Sequence, residues 1–354
     1  LKTANGGGFD YNSVMESTAP LSVAIIGCGR MGRLHARVCS QMPRVRLAGV
    51  YDLSAAAAEA TAQQYNTRAF TDLDALLSEV SAVAIAVPTI QHWPVARQCL
   101  ERKVACLIEK PLAQDSVTAR QIVDLAGARG VCVQVGHIER FNPAVRAMSN
   151  LNIKPRFIEV IRISPLTFRS IDVGVVLDMM IHDIDIVLRL ADSPVSRIDA
   201  VGVAVIAPGG PEDVCNARLT FANGCCANLT ASRLAMKTER KLRVFSPDAY
   251  VSLDYQKKHA MVARRGGNLQ AIRDAVAKIR SGEINDLSQL NFAELVQIEE
   301  LAIDDVEPLR AQWEAFLDST TGAAPPAVSA AEGLAAVETA EQIVAAMQKQ
   351  NFEL

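Results

Sequence analysis

Three glycines in "GCGRMGRLHA" stand where the apolar run "LSVAIIG" passes into a segment of helical composition. In a strand-turn-helix setting each has its own task. Gly27 permits the tight turn, Gly29 lets backbone approach a diphosphate, and Gly32 lets the helix lie close to the strand. Unpaired amides at the helix start, and the helix dipole, favour a doubly charged anion there. Twenty residues beyond Gly32, Asp52 ends "VRLAGVYD", where a carboxylate accepts both ribose hydroxyls of an adenosine and repels a 2′-phosphate. No arginine follows in "LSAAAAEA" to hold such a phosphate, so the pattern points to NAD. Arg30 is a further candidate for the diphosphate, and Met31 lies in the same turn. A second place for chemistry is "CLIEKPLA", where Glu109, Lys110 and Pro111 end another predicted strand at the edge where such sheets hold ligands.

The elements that must carry these residues are legible in the apolar pattern. From residue 21 to about 135, the runs "LSVAIIG", "VRLAGVYD", "AVAIAVP", "VACLIEKP" and "VCVQVG" alternate with helical segments, and each is apolar enough to be buried on both faces of a parallel sheet. That rhythm predicts a doubly wound α/β domain of the Rossmann type. After about residue 142 the pattern changes. "RFIEVIRISP" reads as a strand, and "DVGVVLDMMIHDIDIVLRLAD" as one long helix. The region from 195 to 263 is strand-rich; Cys215, Ala217, Leu219 and Phe221 alternate with polar residues, and Asn223-Gly224 offers a hairpin turn before Ala227, Leu229 and Ala231. Two helices close the chain, without a sign of where the last one packs.

The fold expected is therefore α/β, with residues 20–141 forming the NAD-binding domain and 142–354 an α+β domain with a largely antiparallel open sheet for substrate and oligomer contacts. Residues 1–19 are polar and glycine-rich before Met15 and are expected to be an N-terminal extension or leader, with Met15 the natural start. A chain of 354 residues with 36 basic and 39 acidic side chains carries no extended basic stripe for nucleic acid, and no apolar run long enough for a membrane. Its eight cysteines lack metal-site or disulfide spacing, which suits reduced thiols in the cytoplasm and no bound metal.

Taken together, "GCGRMGRLH", "AVPTIQHWPVA", "CLIEKPLA" and "LDMMIHDID" resemble the Gfo/Idh/MocA family of nicotinamide-dependent sugar and cyclitol oxidoreductases, from about residue 21 to 346. The resemblance implies that Lys110 points at the reacting hydroxyl, that Glu109 helps hold the cofactor ribose, and that Pro88, Thr89 and His92 line the nicotinamide side. It also matches Asp178 and His182 to the family's aspartate and histidine four residues apart, a spacing that puts both on one helix face. Oxidising a secondary alcohol needs a base at the hydroxyl and stabilisation of the developing alkoxide. His182 is the first candidate for the base, Lys110 for the stabilising cation, and Asp178 for orienting the imidazole or binding a substrate hydroxyl.

Within the family, "VGHIERFNPAV" and "RISPLTFRSIDVGVVLDMMIHDIDIVL" resemble the branch that oxidises the 3-hydroxyl of UDP-N-acetylglucosamine, which implies a nucleotide-sugar substrate. His137, Asn142 and Arg169 are then substrate-binding candidates beside Asp178 and His182. Arg140, Arg146, Lys154, Arg156 and Arg162 add a local basic excess that could serve a diphosphate, with Arg233 and Lys237 as weaker candidates. Met179 and Met180, where relatives often carry glycine, could reshape the sugar pocket. His35 and His259 are read as ordinary structural residues with no assigned partner. The alternatives are a dehydrogenase of a free sugar or inositol, and a non-catalytic NAD-binding sensor or scaffold. A homodimer or homotetramer through the second sheet is expected.

Overall fold

The computed structural model describes residues 19–167, 172–265, 269–283 and 296–348. Six strands, β1 (Leu21–Ile26), β2 (Val45–Tyr51), β3 (Arg68–Phe70), β4 (Ala82–Ile85), β5 (Ala105–Glu109) and β6 (Val133–Gly136), form a sheet in the order β3-β2-β1-β4-β5-β6. Every pairing in it is parallel. Strand order reverses between β1 and β4, which opens a crevice at their carboxyl ends. Helices α1 (Arg30–Ser40), α2 (Ala55–Gln64), α3 (Leu73–Leu77), α4 (His92–Glu101) and α5 (Ser116–Arg129) link these strands. Ser54, Asp72 and Asp115 cap α2, α3 and α5 by accepting from backbone amides. The three-residue strand β3 is too short to leave an apolar signature, and the alternation did not reveal it.

The second sheet has eight strands, β7 (Phe157–Ile163), β8 (Val195–Val203), β9 (Val214–Phe221), β10 (Cys226–Ser232), β11 (Glu239–Phe245), β12 (Ala249–Asp254), β13 (His259–Arg265) and β14 (Val296–Glu300), ordered β14-β13-β12-β11-β7-β10-β9-β8. It is antiparallel except where β7 and β10 run parallel, so the sheet is mixed. The predicted hairpin is present: β9 and β10 pair across a turn in which Gly224 has φ +82°. The helices that follow β6 are α6 (Pro143–Ser149), α7 (Ile181–Ala191), α8 (Leu269–Arg280), α9 (Pro308–Thr320) and α10 (Ala330–Gln348). The single long helix expected from 172 onward begins instead as a wider π-helical turn, Val176–Met180, before α7. Such turns are rare and frequent at functional sites. Among the described residues no helix is long and apolar enough to cross a membrane.

One core runs through both sheets. Ile26, Ile85 and Ile108 of the first belong to the same buried cluster as Ile158, Leu229 and Val251 of the second, joined through Ile184 and Val187 of α7 and Leu334 and Val337 of α10. The last helix therefore packs between the two halves, against α5 and β6 on one side and α7 and β8 on the other. Its neighbour α9 returns to the first sheet: Leu309, Trp313, Phe316 and Leu317 cluster with Val23, Ile25 and Leu107. A helix from the expected 142–354 unit thus completes the core of the cofactor half.

Two buried ion pairs fix α7. Arg140 meets Asp185 with both donors at 2.7 Å and reaches Glu332 of α10 at 2.6 Å. Arg162 of β7 meets Asp183 likewise, at 2.7 Å twice, and Glu139 at 2.9 Å. Removing one partner of a buried pair strands the other charge, which costs about 3–5 kcal/mol. Arg162→Met is expected to lower the denaturation midpoint accordingly, and adding Asp183→Leu should recover most of the loss. Equal midpoints for wild type and Arg162→Met in urea would show that the clamp does not hold α7.

Candidate active site

At the carboxyl end of β1 the chain turns at Gly27, whose φ of +98° favours glycine. A Cβ on Gly32 would stand 1.7 Å from the Gly27 carbonyl oxygen, so α1 lies against the turn as closely as backbone allows. The Cβ direction of Gly29 opens onto space with no atom within 4 Å. Gly29 is the N-cap of α1 and supplies no side-chain cap, so the first amides of α1 remain available to a diphosphate. Asp52 accepts from the amide of Cys28 at 2.6 Å and of Ser54 at 2.8 Å, which locks its carboxylate beside the turn. Arg30 is exposed at the mouth and Met31 half-buried. These residues fit a dinucleotide with free ribose hydroxyls.

The crevice is completed from the second half. Lys110, just beyond β5, donates from Nζ to the backbone carbonyl of Asp178 at 2.7 Å and lies 3.5 Å from its carboxylate. The π turn brings Asp178 to this point. His182 follows on α7, its Nδ1 buried without a hydrogen-bond partner among the described residues. The ring of His137 stands edge-on to it at 6.2 Å between centroids, and both His137 nitrogens are buried with no hydrogen-bond partner among the described residues. Burial, then the Lys110 cation, hold His182 well below the usual imidazole range. Burial also lowers His137, against the pull of Asp185. An ammonium, a carboxylate and two neutral imidazoles thus meet at the edge of the first sheet. Asp178 engages Lys110, not the His182 ring it was expected to orient; the ring beside His182 is His137.

Several expected site residues have other work. His92, expected to line the nicotinamide side with Pro88 and Thr89, is buried, and its nitrogens face the carbonyls of Pro111 at 3.0 Å, Leu112 at 3.3 Å and Val87 at 3.1 Å. It staples the loop after β4 to the loop after β5. Pro88 is exposed and Thr89 half-buried in the 3₁₀ turn before α4, where they border the crevice. Asn142, expected on the substrate, caps α6 through the Ala144 amide at 3.1 Å and donates to Glu139 at 3.2 Å. Part of the basic excess is spent inside the fold, where Arg140 and Arg162 hold α7; on the surface Arg146 pairs with Asp304 at 3.0 Å and Arg156 reaches the Asn223 carbonyl at 3.5 Å. Arg233 is buried beside Asp213 and the Val173 carbonyl, and Lys237 pairs with Glu239 at 2.8 Å on the surface. Met180 lies in the core and cannot shape a sugar pocket, whereas Met179 is only half-buried. Arg169 lies outside the described residues. His259 does find a partner, Glu300 at 3.4 Å on the sheet edge. The residue that sequence reasoning missed is His35, which hydrogen-bonds Glu109 at 2.9 Å; its partner is 74 positions away, and no local pattern announces it.

Because folded His137 and His182 bind protons less readily than in the unfolded chain, the stability they contribute is present above about pH 6.5 and lost as pH falls below it. The midpoint of chemical denaturation should therefore drop on acidification, and drop less in His182→Asn. Removing the cation in Lys110→Met should raise the His182 pKa towards its ordinary value. An NMR titration in which His182 is unmoved by that substitution would show that the two groups do not interact.

Residues 21–137 match the oxidoreductase family model with an NAD-binding Rossmann fold, and residues 165–251 match a Gfo/Idh/MocA C-terminal domain. The chain is 37% identical over 247 residues to a UDP-N-acetylglucosamine 3-dehydrogenase of Acidithiobacillus ferrooxidans, covering 70% of this chain and 78% of that one. An inositol 2-dehydrogenase of Rhizobium meliloti is 29% identical over 60% of this chain and 68% of its own length. The solved structure of the Acidithiobacillus ferrooxidans enzyme superposes with a TM-score of 0.81 at 30% identity, over 94% of this chain and 99% of that one. GenD2 from gentamicin A biosynthesis, solved in complex with NAD, shares the fold at 21% identity and a TM-score of 0.75. The glycine turn, the crevice it opens and these likenesses lead to one conclusion: the chain belongs to the Gfo/Idh/MocA family of oxidoreductases, built on an NAD-binding Rossmann fold.

Proposed function

We propose that this protein oxidises a ring hydroxyl of a nucleotide sugar with NAD, the 3-hydroxyl of UDP-N-acetylglucosamine or a related UDP-sugar being the substrate. The observation that carries the reaction type is the meeting of Lys110, from the first sheet, with Asp178 and His182, from the second half, at one crevice. The substrate class is supported by the 37% identity to a UDP-N-acetylglucosamine 3-dehydrogenase. A bound NAD would supply the hydride acceptor for the alcohol carbon. Gly27, Gly29, Gly32 and the start of α1 would hold its diphosphate, and Asp52 and Glu109 would hold its ribose hydroxyls.

The remaining work falls to side chains of this chain. His182, kept neutral by burial and by Lys110, accepts the hydroxyl proton. An ammonium has three donors. Lys110 directs one of them at the Asp178 carbonyl, lies 3.5 Å from the Asp178 carboxylate, and has donors left for the sugar oxygen as negative charge grows there. Asp178 thereby holds Lys110 in place and balances its charge, and His137 supplies a second polar edge beside His182. A diphosphate on the substrate draws little from Arg140 or Arg162, which are paired inside the fold. Residues 20–141 serve the cofactor and 142–354 the sugar, with α9 lent back to the first half. The outer face of the eight-stranded sheet is the surface for a homodimer or homotetramer, and the free thiols of all eight cysteines suit the cytoplasm.

Incubation with NAD and a panel of UDP-sugars, free sugars and inositols should give a 3-keto UDP-sugar by mass spectrometry, with UDP alone raising the melting temperature. Turnover of inositol or free sugars with no reaction of any UDP-sugar would replace the substrate reading and leave the reaction type intact. Lys110→Met should cut kcat by at least about a hundredfold while NAD still binds. Simultaneous loss of cofactor binding would refute the role given to Lys110.

A further inference from the structure

Behind the crevice a chain of hydrogen bonds crosses from the last third of the sequence to the cofactor half. Trp313 of α9 donates from its indole Nε1 to Nδ1 of His35 on α1 at 2.9 Å, and Nε2 of His35 lies 2.9 Å from Oε1 of Glu109 at the end of β5. Both rings are fully buried and meet edge-on with centroids 5.9 Å apart. An indole nitrogen can only donate. Nδ1 of His35 must therefore be a bare acceptor, which rules out both the imidazolium and the Nδ1–H tautomer and puts the single ring proton on Nε2, facing Glu109.

Glu109 is held from the other side as well. It lies against Gly136 at the end of β6 so closely that a Cβ there would come within 3.1 Å of the Glu109 carboxyl group. The carboxylate thus has one oxygen bonded to a donor of fixed identity and one remaining as an acceptor, in a side chain still 12% exposed. The contact that sets the tautomer is itself anchored. Arg37 of α1 pairs with Glu307 at the start of α9, and Arg44 pairs with Glu314 at 2.9 Å and Asp318 at 2.8 Å.

We infer that His35 and Trp313 are positioning residues for the cofactor: a relay of fixed tautomer that holds the Glu109 carboxylate ready to accept a ribose hydroxyl. The inference rests on Glu109 being a cofactor ligand, and it gives α9 a role in cofactor binding although the helix lies nowhere near the glycine turn in sequence. The relay acts on binding of the dinucleotide and not on the sugar: among the described residues its hydrogen bonds run from Trp313 through His35 to Glu109.

Nitrogen-resolved NMR of the full chain with labelled histidine tests the relay directly. His35 should show a protonated Nε2 and an unprotonated Nδ1, and Trp313→Phe should release that restriction. NAD titration by calorimetry should find the dissociation constant raised about tenfold in His35→Ala and about threefold in Trp313→Phe, with His35→Gln, which keeps an N–H donor, close to wild type. In a Glu109→Ala background His35→Ala should add nothing, because a residue acting only through Glu109 has nothing left to position. A folded His35→Ala that binds NAD as wild type does, additive losses in the double variant, or an Nδ1–H tautomer at His35 would each overturn the relay. Should wild type itself bind no NAD, the cofactor reading falls, while the tautomer measurement still decides whether Trp313 controls His35.

Discussion

Everything at the crevice depends on how α7 is turned about its own axis, and two arginines decide that. Asp183 and Asp185 are two positions apart on a helix, so their side chains leave it in directions separated by about 200°. Each meets a different buried arginine, Arg162 from β7 and Arg140 from the turn after β6, through two hydrogen bonds. Planar guanidinium-carboxylate pairs are directional. Two of them on opposite sides leave the helix no freedom to roll. The face carrying His182, with Asp178 one turn before it, is then presented to Lys110.

That arrangement also explains the electrostatics. After burial, the Lys110 cation lowers the His182 pKa most, and Arg162, committed to Asp183 and Glu139 inside the fold, adds positive potential without competing for the imidazole lone pair. Such surroundings favour the neutral form of the His182 ring. Asp178 keeps Lys110 from being an isolated charge at a half-buried edge. The same commitment removes Arg140 and Arg162 from the pool of ligands for an anionic substrate. A local excess of basic residues in sequence was thus a sign of internal bracing.

The tail of the chain ties the halves together. Alanine-rich α10 threads between the two sheets, where small side chains let it approach both, and α9 lays four large apolar residues into the first core. One buried cluster is shared by the two sheets, and the other joins the first sheet to a helix from the end of the chain. The crevice is consequently a feature of the whole chain, with Lys110 and Glu109 from one side and Asp178 and His182 from the other.

Much of this was written locally and could be read locally. The βαβ alternation, the glycine turn, Asp52, the strand exit at Glu109-Lys110 and the Asn223-Gly224 hairpin all depend on residues within a few positions of one another, so their spacing carries the information. What the sequence could not reveal was partnership at long range. That His92 would turn inward onto three carbonyls, that Asn142 would cap a helix, that Arg162 would find Asp183, and that Trp313 would reach His35 across 278 positions depend on which surfaces meet when the sheets pack. A polar residue looks the same in a string whether it faces a ligand or a buried partner. Only the packed structure removes water from one set of candidates and leaves the other open, and desolvation is what separates a brace from a binding group.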